Sequence, residues 1–119
     1  MSYVDVSLGS IFVYTLMIII SSIGKPSKEI NNTRGYRTPL SMKNQKNWDY
    51  ANKIAPQIMF KSFLLGMMLL QLCLFFLDDF ATTDQLVAFV LLYFIINCIF
   101  PIFLIERKLV KFDKTNLDK

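Results

Sequence analysis

The chain reads as an all-α membrane protein with three transmembrane helices and a short interfacial helix in its first loop. Three features lead there: apolar residues gathered into three long blocks, a basic connection between the first two, and an acidic connection between the last two. Hydrophobic residues make up 54% of the sequence and mean hydropathy is +0.42, above the range of a soluble domain this small. Crossing roughly 30 Å of hydrocarbon at about 1.5 Å per residue takes about 20 helical residues. The spacing therefore predicts spans over about residues 4–23, 54–77 and 85–105 in one domain covering 1–119, with a loop at 24–53 and a tail at 106–119. A soluble three-helix bundle is a poor fit, because a soluble helix needs a polar face and the third block has almost none.

In the first span Tyr3, Ser7, Ser10, Tyr14 and Ser21 fall in one narrow sector at about 100° per residue, and this sector should face protein. It suits close helix packing or a polar cavity. The first basic residue, Lys25, follows the apolar block, so the block is expected to be a retained span and not a cleaved leader. Cys73 and Cys98 lie inside predicted spans without metal-ligand spacing and read as inert buried thiols.

Charge sets the expected orientation. Residues 24–53 carry seven basic side chains against Glu29 and Asp49, and the tail carries five against Glu106, Asp113 and Asp118. The connection from Asp78 to Asp84 has three acids and no base. Lys and Arg bias flanking loops to the cytoplasm, so the N-terminus is expected outside and the C-terminus in the cytoplasm. Attraction to an anionic leaflet, about 1 kcal/mol per cation, accounts for the net charge of +4 without a nucleic-acid partner.

Within the loop, Gly24-Lys25-Pro26-Ser27 breaks the first helix and Asn31-Asn32-Thr33-Arg34-Gly35 is turn-forming. A helix can restart at Thr38-Pro39, with the Thr38 or the Ser41 hydroxyl as cap and Pro39 in the first turn. From Met42 onward Lys43, Lys46, Tyr50 and Lys53 line one face and Asn44, Trp48, Ala51 and Asn52 the opposite one, the pattern of an interfacial helix. Trp48 has the amphipathic ring favoured at a membrane interface, and Pro56 is expected to bend the chain where the second span begins.

Polar residues continue into the membrane. Gln57, Lys61 and Gln71 follow Lys53 along one stripe of the second span, and Asn97 sits near the middle of the third. Lys61 either snorkels to the headgroups or faces inward with a function, whereas Gln71 and Asn97 are deep enough to need hydrogen-bond partners inside the bundle. Thr82-Thr83-Asp84-Gln85 is a capping box that starts the third helix.

Enzyme chemistry is not expected. The chain has no His, no paired carboxylates, no Ser or Cys beside a base and no Gly-rich phosphate loop, and neither cofactor nor metal is implied. No span holds an acid apart from Asp5 at the outer edge, which argues against a proton-coupled transporter.

The stretch Gly35-Tyr36-Arg37-Thr38-Pro39-Leu40-Ser41-Met42-Lys43-Asn44, followed by Trp48, Ala51 and Asn52, resembles the signature of the SdpI family of bacterial membrane proteins. The resemblance implies an immunity protein against a secreted, membrane-active killing peptide. It also implies, as an alternative, a membrane sensor or adaptor that recruits a cytoplasmic regulator through its basic loop. The family's namesake has a further N-terminal set of spans, and this chain corresponds to the signature-bearing unit. Candidate binding residues are Arg37, Thr38, Ser41, Asn44, Trp48 and Asn52, with Arg37 suited to bidentate contact with a lipid phosphate or a carboxylate. A role as a structural re-entry anchoring the second helix stands beside the binding role. The expected partners are the lipid bilayer, a toxin peptide or a regulator, and a second copy of the chain through the polar stripes.

Overall fold

Three helices cross the membrane, and two of them continue well beyond it. The structure, a computed structural model, describes residues 2–23, 28–33 and 35–117. The helices are α1 (Tyr3–Ile23), α2 (Gln45–Leu77) and α3 (Thr83–Leu117), each long and apolar enough to span. At about 1.5 Å per residue the 33 residues of α2 and 35 of α3 are roughly 50 Å long, about 20 Å more than the hydrocarbon requires. The excess lies at one end, so the α2–α3 hairpin projects out of the membrane on the side where residues 28–44 fold against it. That end is called the loop end, and the other the turn end.

Where the sequence suggests a separate interfacial helix, the structure has the first turns of α2. Asn44 caps it, with extended backbone and a side chain that accepts the Asn47 N–H at 2.8 Å. Thr38 and Ser41 are not caps, because residues 39–42 form a turn closed by the Met42 N–H on the Thr38 carbonyl at 3.0 Å. Helix α2 also runs through Pro56 without interruption. Trp48, Ala51 and Ala55 on one side of the proline and Phe63, Gly66 and Leu70 on the other are all buried, so packing keeps the two parts in phase. Pro56 and Pro101 each lack the N–H that would reach the carbonyl four residues earlier, which belongs to Asn52 and Asn97 respectively.

Two buried clusters hold the helices together. Inside the membrane, Val6 and Tyr14 of α1 meet Phe63, Leu70 and Leu74 of α2 and Leu86 of α3. At the loop end, Tyr36 packs with Ala51, Ala55, Ile105 and Leu109. Outside these clusters the spans present apolar side chains to lipid, among them Phe12, Leu65, Phe76, Ile95 and Phe103.

The polar sector of α1 does face protein. Gln71 donates to the Ser10 hydroxyl at 2.8 Å and accepts from Ser7, tying α1 to α2 deep in the apolar layer. Tyr14 is fully buried, its ring edge-on to Phe94 at 5.1 Å. At the turn end the capping box forms as expected: the Thr82 N–H donates to Gln85 Oε1 at 3.0 Å and the Gln85 N–H to Thr82 Oγ1 at 3.3 Å.

Candidate functional site: a loop clasped to the projecting hairpin

Gly35 lets the chain turn toward α2, with φ of 96°, a conformation that costs glycine little. The next residue is then read by an asparagine. Asn52 of α2 accepts the Tyr36 N–H at 2.6 Å, and its amide nitrogen lies 3.4 Å from the Tyr36 carbonyl and 3.0 Å from that of Trp48. One side-chain amide thus pairs with both backbone groups of a loop residue, which an aspartate or leucine at this position cannot do.

From there the loop reaches α3. The Tyr36 phenol donates to Glu106 Oε1 at 2.7 Å and the Thr38 hydroxyl donates to the same oxygen at 2.6 Å. Hydrogen bonds to a carboxylate are stronger than neutral ones, so Glu106 holds two loop residues at once. Burial and the neighbouring carboxylate push the Tyr36 phenol above its ordinary range, keeping it a donor. Thr38 and Ser41 brace the turn between them: the Thr38 N–H donates to Ser41 Oγ at 2.8 Å and the Ser41 N–H to Thr38 Oγ1 at 3.2 Å.

A second fastening lies seven residues along α3. Asp113 accepts Lys43 Nζ at 3.0 Å and Asn47 Nδ2 at 3.0 Å, while Asn47 Nδ2 also lies 3.1 Å from the Leu40 carbonyl. These two partners, Asn47 first, hold the Asp113 carboxyl below the ordinary carboxylate range. Residues 106 and 113 are two helical turns apart and so share a face of α3. Beside them Tyr50 and Phe112 stack at 4.1 Å with parallel rings.

The candidate loop residues therefore divide into two groups. Thr38, Ser41, Trp48 and Asn52 are brought together, and all but half-buried Thr38 are buried. Trp48 is only 1% exposed and sits inside the protein, not at the lipid interface. Arg37 and Asn44 stand apart on the surface. Asn44 is at the helix cap, one turn short of the face shared by Trp48 and Asn52, and Arg37 donates to the Asn32 carbonyl and not to the first turn of α2. The intramembrane residues do not converge on one site either. Gln57 and Lys61 are exposed on α2, Gln71 binds α1, and the Asn97 amide lies against Gly66. The depth of Asn97 in the third span calls for a partner in the bundle, yet its buried Nδ2 has none among the described residues. The space over Gly66, where Tyr93 also donates to the backbone carbonyl at 2.7 Å, is filled by that amide.

Glu106, Asp113, Tyr36 and Asn47 are the functional candidates that sequence reasoning passes over. The two acids count there only toward the charge of the tail, although their seven-residue spacing places them on one helix face.

With this geometry in view, the comparison with known families is decisive. The model of the SdpI/YfhL protein family matches residues 28–105. The chain belongs to the SdpI/YfhL family. The match begins at the loop, runs through α2 and ends at Ile105, so it takes in Tyr36, Thr38, Ser41 and Asn52 and stops one residue before Glu106. Neither the curated proteins nor the solved structures yield a match. As an SdpI/YfhL family member it is a multi-pass membrane protein with three spans.

Proposed function

We propose that the chain is a bacterial cytoplasmic-membrane immunity protein that protects its host from a secreted, membrane-active peptide toxin, and that it acts by binding, without catalysis. Family membership supports this reading, and the observation that carries it is the clasp. The signature residues Tyr36, Thr38, Ser41 and Asn52 go into fixing one loop shape on the α2–α3 hairpin. A fixed surface suits recognition. By the charge argument the N-terminus and the acidic turn are outside, and the loop end is cytoplasmic.

A second reading, an adaptor that recruits a cytoplasmic regulator, is favoured by the projection itself. It carries exposed Lys46, Arg107, Lys108, Lys111 and Lys114, spread from the membrane edge to roughly 14 Å beyond it. Expression in a sensitive host, followed by challenge with membrane-active peptides, tests the proposal. Survival raised by the chain supports immunity. Unchanged survival, with a soluble protein retained at the membrane, favours the adaptor.

A further inference from the structure

The clasp does not involve the opposite flank of α2, where Lys53, Gln57 and Lys61 follow one another at one-turn intervals and are all exposed. At 100° per residue this flank points away from the face that buries Trp48, Ala51, Asn52 and Ala55 against the loop and α3. Ala55 shares a buried cluster with Ile105, the last uncharged residue of the third span, which sets the loop-side edge of the hydrocarbon near Ala55. Lys53 then lies just outside that edge, and Lys61 about 9 Å inside it.

A charged lysine at that depth needs an anion. No carboxylate pairs with Lys53 or Lys61 among the described residues, whose single ion pair is Lys43 with Asp113. A second copy of the chain cannot supply one at the depth of Lys61, because no acid lies between Val6 and Ile23, Ile54 and Leu77, or Gln85 and Ile105. Around Lys61, exposed Phe60, Leu64, Leu65 and Met68 cover the same height with apolar surface. The anion must therefore be amphiphilic, with a charged group that Lys53 and Lys61 bracket and hydrocarbon that lies along Leu64, Leu65 and Met68.

We infer that Lys53, Gln57 and Lys61 form a binding site for the phosphate headgroup of an anionic phospholipid in the loop-side leaflet. Lys53 and Lys61 are two turns apart, about 12 Å along the axis, so their long stems can bring both ammonium groups to one headgroup lying between them, where Gln57 can donate a further hydrogen bond. The site is independent of the immunity reading.

Native mass spectrometry of the full chain in neutral detergent, titrated with phosphatidylglycerol or with phosphatidylcholine of the same acyl chains, tests this. The wild type should retain phosphatidylglycerol in preference. The K53Q/K61Q variant should weaken that retention about thirtyfold, roughly fivefold per lysine, while K53R/K61R keeps it. The K111Q/K114Q variant, with the same loss of charge on exposed residues of the projection, should behave as wild type. If K53Q/K61Q does not fold, K61Q alone should show the fivefold loss. Equal retention of the two lipids, wild-type retention by the glutamine variants, or displacement of the lipid by inorganic phosphate would each overturn the site.

Discussion

Tyr36 and Glu106, separated by 70 residues in sequence, meet through a 2.7 Å hydrogen bond that fastens the first loop to the last helix. Their coupling is measurable. Removing one partner takes away a part-buried hydrogen bond to a carboxylate, at about 1.5–3 kcal/mol, and contacting residues show interaction energies of about 0.5–3 kcal/mol in double-mutant cycles. Tyr36→Phe and Glu106→Ala should each destabilise the loop end, and the double variant should lose less than the sum. Trp48, the one tryptophan of the chain and buried beside Asn52, reports the change as a red shift in emission during denaturant titration. Additive losses would mean that the hydrogen bond contributes nothing.

Inside the membrane Asn97 of α3 lies over Gly66 of α2, where an added Cβ would meet the amide head-on. Gly66→Ala should cost about 1–3 kcal/mol by overpacking, seen as a lower unfolding midpoint in detergent. Asn97→Ala should restore much of it in the Gly66→Ala background, because it removes the obstructing amide together with an unpartnered Nδ2. A Gly66→Ala variant as stable as wild type would show that the Asn97 amide is not held over Gly66.

Orientation follows from the basic loop and acidic turn, and labelling reads it directly. Lys46 and Thr82 are both exposed. With Cys73 and Cys98 replaced, Lys46→Cys should resist a membrane-impermeant maleimide in intact cells and Thr82→Cys should react. The reverse pattern would place the loop end outside.

What the sequence makes legible is local and periodic. Three spans, the protein-facing polar sector of α1 and the Thr82–Gln85 capping box all follow from spacing, because each depends on residues a few positions apart or on a whole helical face, whereas the fold alone pairs that sector with Gln71. The clasp does not. Pro56 and the Thr38-Pro39 pair read locally as a break and a restart, and only burial of Trp48, Ala51 and Ala55 explains why α2 is a single helix capped by Asn44. Likewise nothing near Glu106 announces that its carboxylate receives Tyr36 and Thr38, since the partners are set by the tertiary fold. The family signature marks the loop side of the clasp and leaves the α3 side unmarked.

The claim that the clasped loop confers immunity is tested most directly by host survival under challenge with a membrane-active peptide toxin. Wild type, Asp79→Asn and the Tyr36→Phe/Glu106→Ala double variant should be compared at matched membrane abundance. Wild type and Asp79→Asn, which alters only an exposed acid of the turn, should protect equally, and the double variant should lose most of the protection. Full protection by the double variant together with its loss in Asp79→Asn would place the activity at the turn end and contradict the account.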